Sequence, residues 1–208
     1  MKKSEFTRQY IIEAAAPIFN SKGYAATSIA DILDQTGLAK GCLYGHFESK
    51  DQLADTVLNY SFEKVSNAVS QKTEIAITPR DKLISLLEFY ENYSVNPIIK
   101  GGCPLLNAAV DADDQYTELS KATLKFMNRS ILFIANLLQL GKEQGQFYLT
   151  LEPVEEARYI FATIEGGIMM SKLANSPAIL NSILSKLKNK INLNYTISRK
   201  SKKNKHEY

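Results

Sequence analysis

The chain contains no tryptophan, only two cysteines (Cys42 and Cys103) and only two histidines (His46 and His206). Two cysteines are too few for a disulfide framework or a zinc cluster. Two histidines leave little material for a metal site or an acid–base catalyst, so neither a metal nor a cofactor is expected. Long apolar runs are also missing. The longest stretches, such as Ile131-Leu132-Phe133-Ile134-Ala135, fall far short of the ~20 residues a membrane-spanning helix needs. The start, Met1-Lys2-Lys3-Ser4-Glu5-Phe6, is basic but leads into no apolar stretch and no small-residue cleavage site, which excludes a signal peptide at that position. The reading is a cytoplasmic protein with no membrane partner. A large charge excess is missing as well: the net charge is +3. Through Gln71, Lys2, Lys3, Arg8, Lys22, Lys40, Lys50 and Lys64 face a slightly larger set of acids (Glu5, Glu13, Asp31, Asp34, Glu48, Asp51, Asp55, Glu63). Any case for nucleic acid must therefore rest on arrangement, not on totals.

What is present is apolar material, 45% of 208 residues, patterned for helices nearly throughout. That length allows one large domain or two small ones. Phe6, Tyr10, Ile11, Ala14, Ala15, Ile18 and Phe19 recur at three- and four-residue steps and predict a first helix. It bends at Pro17 and stops at Gly23. Ser28-x-x-Asp31 is a capping box that opens a second helix, with Ile29, Ile32 and Leu33 inward and Gly37 as its stop. A third helix is expected over about Ala39–Gly45, anchored by Leu43 and Phe47. Ser49-x-x-Gln52 caps a long fourth helix carrying Leu53, Val57, Tyr60, Phe62, Val65 and Val69. Further helices follow from Thr78-Pro79, from Leu105, over about Thr117–Gln144, over about Pro153–Ala174 and from Ser176-Pro177. The fold class is all-α. The expected organisation is a helix-turn-helix domain over 1–50, a linking helix over about 50–71, and a second helical domain over 72–195. The tail over 196–208, with Arg199, Lys200, Lys202, Lys203 and Lys205, is basic and reads as disordered.

Two short helices joined by a glycine turn suit DNA reading, the first crossing the backbone and the second entering the major groove. With Ile29, Ile32, Leu33, Leu38, Leu43 and Phe47 inward, Lys40, Gly41, Cys42, Tyr44, Gly45 and His46 face outward. Lys, Tyr and His side chains can bind phosphates and base edges, and the small Gly41 and Cys42 let the backbone come close. Lys50 places a cation one residue into the fourth helix, whose start attracts phosphate. Cys42 reads either as a base contact or as a small filler. His46 reads either as a contact or as support for the loop before Glu48.

These segments, Thr27-Ser28-Ile29-Ala30-Asp31-Ile32, Thr36 through Phe47 and Ser49-Lys50, together resemble the N-terminal domain of the TetR family of bacterial regulators. The resemblance covers roughly residues 5–65; beyond it the chain fits the family in length and helical organisation. It implies a homodimer, a palindromic double-stranded DNA operator, and a C-terminal domain in which a small-molecule inducer or an electrophile sets DNA affinity. By position it makes Thr27, Ser28, Lys40, Tyr44, His46 and Lys50 phosphate contacts and puts Cys42 where the family often reads a base. Two positions depart from the pattern. Leu33 stands where many helix-turn-helices carry a small residue, which implies a different crossing angle. Gly45 stands where many relatives carry a bulky base-contacting side chain, so readout leans on the start of the recognition helix and on DNA shape.

In the remaining chain, Phe89, Tyr90, Tyr93, Phe126, Phe133, Phe161 and Met169 read either as ordinary core or as pocket lining. Asn107, Asn136 and Glu165 are polar groups on apolar faces and mark the pocket better. Gly101-Gly102-Cys103-Pro104 reads either as a helix entry with a buried thiol or as a redox switch. In the second reading backbone amides lower the thiol pKa, and Lys172, from the penultimate helix, faces the loop as it does in related regulators. The stripe Leu180, Ile183, Leu184, Leu187 and Ile191 reads as a dimer seam or as intramolecular packing. A cysteine-dependent enzyme using Cys103 is the rival from another class, but it lacks a nearby histidine. A non-specific DNA-packaging protein is disfavoured by the small cationic surplus, because phosphate neutralisation drives such binding.

Overall fold

The computed structural model describes residues 3–111, 117–148, 150 and 152–192. The basic tail over 196–208 lies outside them. Among the described residues the chain forms helices α1 (Lys3–Lys22), α2 (Ile29–Thr36), α3 (Lys40–Tyr44), α4 (Lys50–Glu74), α5 (Pro79–Tyr90), α6 (Pro104–Asp111), α7 (Thr117–Glu143), α8 (Pro153–Leu173) and α9 (Pro177–Lys190), with no extended strand. No helix among these residues is long and apolar enough to cross a membrane.

The starts follow the capping chemistry. Ser28 Oγ accepts from the Asp31 amide at 3.2 Å, and the Asp31 carboxylate accepts from the Ser28 amide at 2.9 Å. Ser49 Oγ accepts from the Gln52 amide at 3.1 Å while Gln52 Oε1 accepts from the Glu48 amide at 2.7 Å. Thr78 and Pro79 start α5 as a cap and a first-turn proline. Gly37 ends α2 at φ +66°, where its N–H donates to Leu33 O at 2.8 Å. That left-handed geometry is the one glycine adopts without steric cost. α1 runs unbroken through Pro17, whose missing N–H removes one rung of the ladder.

The stripe on α1 is narrower than the sequence pattern indicates. Ile11, Ile12, Ala15, Ala16 and Phe19 are buried, whereas Phe6 and Tyr10 are exposed. Tyr10 instead reaches across the surface, its hydroxyl donating to Thr36 O at 3.1 Å. Ile32, Leu43, Leu53 and Phe47 close the N-terminal core, with Ile29, Leu33 and Leu38 partly buried around it. α4 packs on α1 at its start and on α5, α6 and α7 beyond, so one rod serves both halves. It ends at Glu74, three residues later than expected.

The C-terminal half is built on α8, which packs against α7 and α9. Leu180, Leu184, Leu187 and Ile191 are buried inside this chain's own core, and Ile183 is half-buried. The α9 stripe is therefore not an outward dimer seam. The stripe is spent on α8, where the absent Cβ of Gly167 leaves room for Leu180 and Ile183.

Candidate nucleic-acid interface and buried cavity

On the helix-turn-helix, α3 presents Lys40, Gly41, Tyr44 and Gly45 to solvent, with Cys42 and His46 half-buried beside them. Lys40 Nζ stands 5.8 Å from the centroid of the Tyr44 ring, so a cation and a phenol share one small patch. A Cβ added at Gly41 would meet nothing within 4 Å, which leaves the backbone of the recognition helix bare. Ser28 is exposed and its hydroxyl is held in the cap of α2. Lys22 is paired with Asp31. That ammonium, then the Ser28 amide and hydroxyl, hold the Asp31 carboxyl down at about 2.

Two of the expected DNA contacts are recast by the structure. Thr27 is 1% exposed, and its hydroxyl donates to Gly23 O at 2.7 Å. The side chain closes the turn before α2 instead of facing outward. Lys50 Nζ donates to Ala25 O at 3.1 Å. It ties the start of α4 to the same turn, and its charge remains near the surface.

A cavity of about 350 Å³ opens between α4, α5, α7 and α8. Phe126, Phe133, Tyr90 and Phe161 line it. Leu86, Ile134 and Ile164 complete an apolar floor. Glu63, Ser66, Asn67 and Ser70 of α4 supply polar walls, and exposed Arg129 stands at the mouth, its guanidinium donating to Ser66 Oγ at 2.6 Å. Phe62 stacks on Phe126 behind this wall, ring centroids 4.2 Å apart. The contribution of α4 was missed from sequence, because Ser66 and Ser70 look like ordinary solvent-facing positions.

The other candidate pocket residues lie elsewhere. Met169 and Asn136 face solvent. Phe89 and Tyr93 pack with Tyr90 in an aromatic trio, with centroid distances of 4.9, 5.8 and 5.3 Å. Asn107 donates to Asn20 O, Asn20 Oδ1 and Gly101 O at 2.8, 3.0 and 3.1 Å, which makes it a structural tie. Glu165 is not a wall residue. Its Oε1 accepts from Cys103 Sγ at 3.4 Å, and its Oε2 is buried with no partner.

Burial and that neighbour together set the state of Cys103. The thiol is buried, and burial, then the Glu165 carboxylate, push its pKa well above the ordinary value. The amides of Leu105 and Leu106 act the other way and lose. The expectation of a lowered pKa is thus overturned. Lys172 does reach this loop, but its Nζ donates to Gly101 O at 2.7 Å and Asn107 Oδ1 at 3.2 Å, not to the thiol. A thiol held toward its neutral form is a weaker nucleophile than a thiolate, which counts against the switch reading of this loop.

The chain's two halves match known sequences separately. Residues 11–57 match the bacterial regulatory proteins of the tetR family, and residues 79–187 match the tetracyclin repressor-like C-terminal domain. The chain is 24% identical over 177 residues to the HTH-type transcriptional repressor DhaR of Mycobacterium sp. (strain GP1), covering 85% of this chain and 88% of that one. Its fold superposes on a TetR transcriptional regulator from Chloroflexus aurantiacus with a TM-score of 0.91 at 32% identity, covering 95% of this chain and 100% of the other. A TetR-family regulator from Cytophaga hutchinsonii gives a TM-score of 0.86 at 28% identity, covering 96% and 99%. A capped helix-turn-helix, a rod-like α4 shared by both halves and these matches along the length together place the chain in the TetR family of bacterial transcriptional regulators.

Proposed function

We propose that the protein is a cytoplasmic, dimeric repressor that holds a palindromic operator through α2 and α3 and releases it when a small molecule fills the cavity. One observation carries this reading: α4 packs on α1 and enters the N-terminal core through Leu53 at its start, and walls the cavity at Glu63–Ser70. An occupant that displaces the middle of α4 displaces the rod on which the DNA-reading unit rests. Two recognition helices must sit about one DNA turn apart, ~34–36 Å, so a small tilt takes both out of register.

On the DNA, Lys40, Tyr44, His46, Ser28 and Lys50 contact phosphates, and Gly41 and Cys42 bring the helix backbone to the bases. The phosphate contacts set position more than sequence. The dimer face is the outward side of α8, where Tyr159, Met169, Met170 and Leu173 are exposed at helical spacing. The name of DhaR, a transcriptional repressor, supports the direction of control.

Footprinting on the DNA flanking its own gene tests the proposal. Two protected half-sites about one turn apart, lost when Leu173→Glu breaks the dimer, is the expected result. A single protected half-site, bound equally by the Leu173→Glu chain, would contradict it.

A further inference from the structure

The strongest unexplained feature of the C-terminal half is a buried acid. Glu165 extends from α8 on the same side as Phe161, which stands four residues before it and lines the cavity. Its Oε2 is buried without a hydrogen-bond partner, and Oε1 has only the weak thiol donor of Cys103. Among the described residues no Lys, Arg or His forms an ion pair with it. Tyr93 Oη, in the same cluster, is also buried and unpartnered. Burial of unsatisfied polar groups is costly, and folds retain few of them without a use.

Its surroundings are those of a cation site. Tyr90 and Tyr93 both lie in the electrostatic field of Glu165 and, with Phe89, form the aromatic trio. Aromatic faces beside a carboxylate attract organic cations by two additive effects, charge pairing and the ring quadrupole. Tyr90 belongs both to this cluster and to the cavity wall. The apolar floor of Leu86, Phe126, Phe133 and Ile134 suits a hydrocarbon body, and the cation that lines the cavity, Arg129, is exposed at the mouth and already donates to Ser66 Oγ, with the acid Glu63 on the same wall.

We propose that the effector is an organic cation: its apolar body lies in the cavity and its ammonium group reaches past Tyr90 to Glu165, against the faces of Tyr90 and Tyr93. This rests on the reading of the cavity as the effector site. It gives the buried carboxylate the partner that the free protein lacks, and it selects by charge among ligands of one shape. An uncharged hydroxyl isostere can offer Oε2 only a neutral hydrogen bond without charge pairing, and a carboxylate would be repelled.

Calorimetric titration of the full-length protein with phenylbutylamine, phenylbutanol and phenylbutyrate tests this, at pH about 8 where the amine is charged and Glu165 ionised. The amine should bind about tenfold or more tighter than the alcohol, and the acid weakest. In Glu165→Gln the amine and alcohol should bind within about twofold of each other, with alcohol affinity unchanged. Thermal melting of the variant with bound alcohol reports that it is folded. If Glu165→Gln does not fold, the order of the three probes on the wild-type chain decides alone. Equal affinity of amine and alcohol, or a preference for the amine that survives Glu165→Gln, overturns the cation site while leaving the cavity reading intact. Failure of all three probes to bind overturns both.

Discussion

The side-chain amide of Asn20, near the end of α1, donates to Gly102 O at 3.0 Å across the junction between the DNA-reading half and the rest of the chain. The same nitrogen reaches Lys100 O at 3.1 Å and Ile99 O at 3.4 Å. Asn107 returns the contact from α6, and Lys172 from α8 holds both Asn107 and Gly101. One buried amide therefore collects the loop before α6 onto α1. The loop ends at Cys103, which touches Glu165. This gives the cavity region a second connection to the helix-turn-helix, besides α4.

Replacing Asn20 by Ala takes the donor from the buried Ile99 carbonyl and from the part-buried carbonyls of Lys100 and Gly102. A stability loss of about 1–3 kcal/mol is expected. Gly101→Ala should be at least as damaging. Gly101 sits at φ +111°, and a Cβ there would lie 2.7 Å from Asn20 O, a backbone atom that cannot swing aside. Urea unfolding of both variants checks this. Midpoints equal to wild type would mean the junction is not fastened by these contacts.

Gly41→Ala separates stability from DNA binding. The added methyl meets nothing, and alanine favours a helix over glycine by up to about 1 kcal/mol. The melting temperature should hold or rise. Operator affinity, read by fluorescence anisotropy, should fall by about tenfold, because the methyl stands where the backbone must approach the groove. Undiminished affinity would mean that α3 does not approach the bases closely at this point.

Glu165 makes stability depend on pH. Burial pushes its carboxyl from the ordinary 4.5 up to about 7. Between those values the folded chain keeps a proton that the unfolded chain has lost. Folding stability from this group is therefore full below about 4.5, falls as pH rises to about 7, and then levels. Unfolding free energies from urea titrations at pH about 5 and about 8 should differ in wild type by roughly 1–3 kcal/mol more than in Glu165→Gln. An identical pH slope in the two proteins would show that the carboxyl is not held in this state.

The two cysteines should differ in reactivity. Cys42 is half-buried on the recognition helix, whereas Cys103 is buried beside an acid that opposes its ionisation. A thiol-specific chromogenic reagent should modify Cys42 first, and operator DNA should protect it. Faster modification of Cys103 in the native protein would restore the thiol-switch reading.

The parts legible in sequence are those fixed by neighbours along the chain. Ser28 with Asp31, Gly37, and Ser49 with Gln52 are local, so the helix-turn-helix could be placed almost to the residue. Periodicity showed that Leu180, Leu184 and Leu187 form one face, but it carries no information about what covers that face, and α8 of the same chain does. Phe6 and Tyr10 failed for a related reason: they lie on the stripe but beyond the end of the core. The cavity wall on α4 was illegible because Ser66 and Ser70 acquire meaning only when Phe126 and Phe133 of α7 face them. Asn20 was within reach, as an amide on the apolar face between Ala16 and Phe19 on one side and Gly23 on the other, the same sign that marked Asn107 and Glu165.

The central claim is that DNA is held by the arrangement of α2 and α3 and not by bulk charge. Operator affinity as a function of salt, for wild type and Lys40→Ala, tests it most directly. The account predicts that wild type prefers its operator to bulk DNA by about a thousandfold or more. Lys40→Ala should weaken binding to all sequences alike and lower the salt slope by about one unit. A Lys40→Ala chain with unchanged affinity and slope, or a wild type that binds bulk DNA as tightly as its operator, would contradict it.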